Sequence, residues 1–145
     1  MTNNKEPVWA KIRITQSIDD LVKHGPSLKI GVMATPFDGT HVTTAWALID
    51  TGAAGTGISP ALARELALKP IDFGMAHEAG REPISAPYFK VKLLLSPNID
   101  MELDVIGLRS MDEYHGLLIG RDVLQNSRIM VDFITGETRI HFRAS

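Results

Sequence analysis

Apolar and polar positions alternate in short runs along most of this chain, the pattern of half-buried strands rather than helices. Lys11-Ile12-Arg13-Ile14 alternates. So do Leu28, Ile30 and Val32, with Lys29 and Gly31 between them. Residues 42–49 form a longer strand, 91, 93 and 95 alternate with Lys90 and Lys92, and Met101, Leu103 and Val105 alternate back. Ile129, Val131 and Phe133 are followed by Thr135-Gly136 and then Ile140 and Phe142, which predicts a closing hairpin. Turn residues separate these runs, as in Pro36-Phe37-Asp38-Gly39 and Ser96-Pro97-Asn98. Helical signals are few. Ser17 caps a short turn stopped at Gly25-Pro26. Ser59-Pro60 opens a helix through residues 61–67, since serine caps well and proline suits the first helical position. Residues 121–125 allow one or two more turns. Many short strands with only small helices predict an all-β barrel or sandwich.

Composition narrows the function classes. The 145 residues suggest one domain, and a formal net charge of -2 without a basic run argues against a nucleic-acid footprint. The absence of cysteine excludes disulfides, cysteine–zinc sites and thiol catalysis. Five scattered histidines, His24, His41, His77, His115 and His141, have no ligand-like spacing, so no metal and no cofactor is expected. Trp9 and Trp46 are expected to pack, and Arg109, Arg121 and Arg128 to form a solvated face, with Arg121 the exception that pairs with a carboxylate. The first twenty residues contain no apolar h-region and no stretch reaches membrane-spanning length, so no membrane segment and a cytoplasmic location are expected; a longer native protein would allow a periplasmic or anchored one.

The chemistry concentrates at one place. The apolar run Ala45-Trp46-Ala47-Leu48-Ile49 ends in Asp50-Thr51-Gly52, and small residues follow, Ala53-Ala54-Gly55-Thr56-Gly57. Asp opens many turns through bonds to its own backbone, so the tripeptide alone says little. Its position at the end of a hydrophobic strand places the carboxylate near the core, and the small residues permit close approach of another backbone. About seventy residues later Gly116-Leu117-Leu118-Ile119-Gly120 leads into Arg121-Asp122-Val123-Leu124.

These two motifs, in this order and with the closing hairpin, resemble the retroviral-type aspartic proteases (retropepsins) and their bacterial relatives over roughly residues 28–142. The resemblance implies an all-β, retropepsin-like closed barrel with one or two short helices, forming one half of a twofold-symmetric dimer. Residues 28–145 would be the protease domain and residues 1–27 an N-terminal extension, partly frayed or engaged at an interface. Such an enzyme needs two carboxylates about 3 Å apart sharing one proton. The chain holds one Asp-Thr-Gly, so the dyad requires a second copy of the chain.

The resemblance also distributes roles. Asp50 is the catalytic carboxylate, Thr51 ties the two active-site loops across the axis, and Gly52 lets backbone reach carboxylate and substrate. Ala53 and Ala54 floor the groove. Leu118, Ile119 and Gly120 support the loop, with Arg121 and Asp122 opening the helix behind it. Residues 73–89 form a flap with Ala79 and Gly80 at its tip. The implied function is a homodimeric aspartic endopeptidase acting on peptide or protein substrates at acidic to mildly acidic pH. The alternative is a non-catalytic peptide-binding or assembly module on the same fold, suggested by Ala54, where relatives often carry Ser, Thr or Asp, and by the charged tip Glu78-Ala79-Gly80-Arg81-Glu82. An intact Asp-Thr-Gly favours the enzyme.

Overall fold

A computed structural model describes residues 9–143 except 38 and 40, with residue 9 described by its backbone alone. Of residues 1–11, expected to fray or to dock, residues 1–8 lie outside the described residues, as does the turn residue Asp38, while residues 9–11 belong to a strand.

Strands β2 (Ser27–Ala34) and β3 (Val42–Ile49) form an antiparallel pair, Leu28 opposite Ala47 and Val32 opposite Thr43. The sheet continues through β8 (Leu117–Ile119), the two-residue β4 (Gly57–Ile58), β7 (Ile99–Gly107) and β6 (Ile84–Ser96). A pairing of β6 back onto β2 closes these six strands into a barrel. The ring is closed by short contacts at several seams, three residues of β3 on β8 and two of β4 on β7. The alternating residues Val91, Leu93 and Leu95 point inward from β6 and meet Ile30, Val32 and Val105, all nearly devoid of solvent contact. This is the period-2 pattern seen in the sequence, converted into core.

Strand β5 (Asp72–Ala76) attaches to the outer end of β6, so the first five residues of β6 belong to a hairpin projecting from the barrel. A separate three-stranded sheet is made by β1 (Trp9–Thr15), β10 (Glu137–Arg143) and β9 (Ser127–Asp132), with β10 in the middle. Seven residues of β1 pair in register with β10, from Trp9 opposite Arg143 to Thr15 opposite Glu137. Ile12 and Ile140 face each other there and both join the barrel core.

Three short helices complete the fold. Helix α1 (Ile18–His24) starts where Ser17 Oγ accepts the Asp20 N–H. Helix α2 (Pro60–Glu65) has Ser59 as its cap and buries Leu62. It ends two residues before the length expected from its composition: Ala67 takes a left-handed φ of 49°, and the Leu68 N–H reaches back to the Ala63 carbonyl at 3.0 Å. That closing bond overrides the helix propensity of Leu66 and Ala67. Helix α3 (Arg121–Leu124) follows β8 directly.

Candidate active site

Two pairings, one parallel and one antiparallel, build the site. Strand β3 runs parallel to β8, with Leu48 beside Leu118 and Ile49 beside Ile119, and β4 pairs with β8 on its other side. The chain segments entering and leaving residues 50–56 are therefore both laid on β8. The Asp50 N–H donates to the Ile119 carbonyl at 2.9 Å, which fixes the end of β3. Asp50 itself is half-buried. Its Oδ1 accepts the Gly52 N–H at 2.9 Å, and its backbone carbonyl accepts the Ala53 N–H. Among the described residues nothing is bound to Oδ2. The turn that an Asp makes with its own backbone and the carboxylate presented for chemistry are thus the same object here.

The loop is clamped from behind by the segment that the sequence singles out. The Arg121 N–H donates to the Ala53 carbonyl at 2.8 Å and the Asp122 N–H to the Ala54 carbonyl at 3.2 Å, while the Arg121 guanidinium donates to the Thr51 carbonyl at 2.9 Å. Arg121 therefore holds backbone rather than a carboxylate. Gly120 is packed so tightly that a Cβ would stand 2.3 Å from the Gly55 carbonyl oxygen. Only glycine permits this approach.

Thr56 is the residue that sequence reading passed over. It is 1% exposed, and its hydroxyl donates to Asp122 Oδ1 at 2.7 Å while accepting the Gly120 N–H at 3.2 Å. Its own N–H donates to Asp122 Oδ2 at 3.1 Å. The side chain of Asp122 thus works as a strut between α3 and the end of the loop. A small polar residue inside a run of Gly and Ala is the only sequence signal for this role.

Thr51, Gly52 and Ala54 are exposed and Ala53 is half-buried, so the loop offers small residues and free backbone to whatever approaches Asp50. Asp50 through Ala54 and Leu118 through Asp122 are brought together as one unit. Ala79 and Gly80 lie elsewhere, at the tip of the β5–β6 hairpin, where Gly80 has a φ of 73° and is exposed. The bonds that hold this tip run to the segment after β7. Arg109 Nε donates to Glu78 Oε2 at 2.9 Å, the Arg109 guanidinium also reaches the Glu82 carbonyl, and Arg81 reaches Ser110 Oγ at 3.4 Å. Arg109 was expected on a solvated face; its side chain is only 29% exposed because Glu78 and the tip backbone cover it. The charges of Glu78 and Arg81 are correspondingly turned toward their own chain.

The hairpin presents an apolar surface. Phe73 pairs with Pro87 and Met75 with Ser85, so these four lie on one side. By alternation that side is continuous with Phe89, Val91 and Leu93, which point into the barrel. Phe73 and Met75 are nonetheless 63% and 55% exposed, an apolar face that the described residues leave open.

A second polar cluster lies on the far side of β8. His115 is 3% exposed; its Nε2 is 2.8 Å from Ser27 Oγ and its Nδ1 is 2.9 Å from Asp112 Oδ2. The order serine, imidazole, carboxylate invites a nucleophilic reading. Ser27 is wholly buried in β2 and its hydroxyl also bonds to the Gly25 carbonyl, so no substrate reaches it. The cluster ties the loop before β8 to β2. Tyr114 stacks on His24 and Trp46 beside it, with centroids 4.0 and 5.4 Å away, which gives Trp46 its packing role. Burial opposes ionisation of Asp112, but the His115 ring and the N–H groups of His115 and Tyr114 outweigh it and hold the carboxyl below its ordinary value of 3.8. No group of three or more potential ligands with metal-site geometry occurs among the described residues, and no helix there is long and apolar enough to cross a membrane.

No family model and no curated protein matches the chain. Among solved structures it is similar to the crystal structure of a retropepsin-like aspartic protease from Rickettsia conorii, with a TM-score of 0.59 over 96% of each chain and 10% sequence identity. At that identity the likeness is one of architecture: this chain has the retropepsin-like fold.

Proposed function

We propose that the chain is one half of a homodimeric aspartic endopeptidase. The observation that carries this reading is Asp50 itself. It is half-buried at the end of a barrel strand, one carboxylate oxygen is tied to Gly52, the other is open, and the loop bearing it is clamped by Gly120, Arg121 and Asp122. A rigid, single carboxylate flanked by exposed small residues suits a twofold contact with a second copy. The retropepsin-like architecture, shared with a protein described as an aspartic protease, supports the same conclusion.

In the proposed reaction one Asp50 is ionised and its mate in the other protomer is protonated. The ionised carboxylate takes a proton from a water lying between them, and the water oxygen bonds to the scissile carbonyl carbon. The protonated carboxyl gives its proton to the carbonyl oxygen, forming a neutral tetrahedral diol. Collapse breaks the C–N bond as the protonated carboxyl passes its proton to the departing amine and the other carboxylate takes a proton from a diol hydroxyl, which restores the dyad. Thr51 ties the paired loops, Gly52 and Ala53–Ala54 line the path of an extended peptide, and the β5–β6 hairpin closes over it as the flap, with Ala79 and Gly80 at its tip.

The test is cleavage of a peptide library across a pH series, wild type against Asp50→Asn at equal and high concentration. Cleavage that is strongest in acid and absent from the variant, with the barrel intact by circular dichroism, is the expected result. Retained cleavage in Asp50→Asn overturns the mechanism. Peptide binding without turnover at any pH by the wild-type dimer favours the binding-module alternative.

A further inference from the structure

An open cleft of about 670 Å³ lies between α2, the hairpin half of β6 and the end of β7. Its apolar lining comes chiefly from Ile58, Leu68, Ile84, Pro87, Phe89 and Leu108. The floor starts at Ile58, in the strand leaving the Asp50 loop. One wall is the return strand of the hairpin. The same two elements bound the path of a peptide in the proposed enzyme, so a chain extended through that path runs on toward the cleft. The volume exceeds that of any one side chain, so it takes a large apolar residue together with part of the residue beside it.

Three cations stand around this cleft: Arg64, Lys69 and Arg109. Arg109 is already engaged by Glu78 and by the Glu82 carbonyl. Arg64 and Lys69 are exposed, and among the described residues neither is paired with a carboxylate. Glu65, the acid adjacent to Arg64, does not line this cleft; it lines a separate cavity, where its carboxylate accepts the Thr43 hydroxyl at 3.0 Å. Two unsatisfied positive charges beside an apolar cleft, in a chain whose net charge is negative, form a local field that selects a negative neighbour for the apolar group seated within.

We infer that this cleft is a recognition point for substrate, taking a large apolar residue with an acidic residue beside it, at a position removed from the scissile bond. The inference deepens the proteolytic reading and rests on it for the direction of the peptide. Specificity at this point comes from the apolar cleft for size and from Arg64 and Lys69 for charge. Because the two side chains are exposed and make no bond within the described chain, reversing their charge leaves the fold intact.

The experiment measures binding of fluorescent twelve-residue peptides to Asp50→Asn, which holds substrate without consuming it, together with cleavage of the same peptides by the Asp50 enzyme. The peptides carry a central scissile-type apolar pair and a flanking Leu followed by Glu-Glu, Gln-Gln or Lys-Lys. The expected order is Glu above Gln above Lys, with roughly a three- to tenfold span at low salt that shrinks as salt is added. In the Asp50→Asn, Arg64→Glu, Lys69→Glu protein the order inverts. An unchanged order in the charge-reversed protein, or no dependence on the flanking charge in the parent, overturns the inference. Replacing the flanking Leu by Ser weakens binding to the parent severalfold; an equal affinity for both overturns the role of the apolar cleft. Charge-ordered binding without any cleavage by the Asp50 enzyme overturns the catalytic reading while leaving the recognition point in place.

Discussion

Gly120 shows how much of this site depends on single atoms. A methyl group there would meet the Gly55 carbonyl oxygen at 2.3 Å and the carbonyl carbon at 2.6 Å, and backbone on both sides leaves it nowhere to go. Gly120→Ala is expected to destabilise the chain by about 2–3 kcal/mol, the upper range for overpacking, and to shift the Asp50 loop. Urea unfolding with an unchanged midpoint would refute this. Thr56→Val tests the polar side of the same junction. It preserves shape but strands the buried Gly120 N–H and removes a donor to Asp122, which is expected to cost about 1–3 kcal/mol by the same measurement. Asp112 gives a pH signature. Its folded-state pKa is depressed, so its contribution is present above about pH 3.8 and is lost as pH falls through the lower folded value. The stability gap between wild type and Asp112→Asn should therefore narrow below pH 4, and a gap constant from pH 7 to 3 would rule this out. Asp50 and the Gly120 segment were legible in the sequence because their residue types are unusual for their setting. Thr56 and Ser27 were not, since a hydroxyl reveals nothing until its distant partner, 66 or 88 positions away, is known.

At the scale of elements, the hairpin of β5 and β6 is the part whose behaviour the structure redefines. The sequence pointed to a hairpin here, with a charged tip facing the substrate path. Instead Glu78 and the Glu82 carbonyl are held by Arg109, which lies 31 positions from Glu78 and so outside any local pattern. The pair is largely covered, with side chains 29% and 19% exposed, so it is screened less than a surface ion pair. Swinging the hairpin away requires breaking it. Glu78→Gln keeps a weak acceptor and removes the charge; amide exchange within residues 72–88 is then expected to quicken several-fold while the barrel strands are unaffected. In the proposed enzyme the same change raises KM more than it lowers kcat, because a looser lid costs binding before chemistry. Exchange rates identical to wild type would show that Arg109 does not restrain the hairpin. The longer barrel strands were readable because they alternate with period 2 against the core, whereas the two-residue β4, buried at both positions, has no such pattern to show. The end of α2 was misread because propensity is overridden by the closing bond from Leu68 to Ala63.

At the scale of the whole molecule, the arrangement of the chain ends bears on how two copies would meet. The resemblance makes the N-terminal segment and residues 139–145 the parts expected at an interface between copies. The described parts of both segments are spent on each other: β1 and β10 pair over seven residues within one chain, and Ile12 is buried by that pairing. Removing residues 1–16 therefore exposes Ile140 and unpairs β10, which predicts a lowered melting temperature rather than a silent truncation. In the proposed enzyme the dyad exists only when two chains meet, so specific activity is expected to fall on dilution and to track the dimer fraction measured by sedimentation. Wild-type protein mixed with an excess of Asp50→Asn should lose activity beyond simple dilution, because mixed dimers carry one carboxylate and cannot share a proton across the axis. Activity that is independent of concentration and indifferent to the variant would mean that a single chain performs the chemistry, and the two-chain dyad would have to be abandoned.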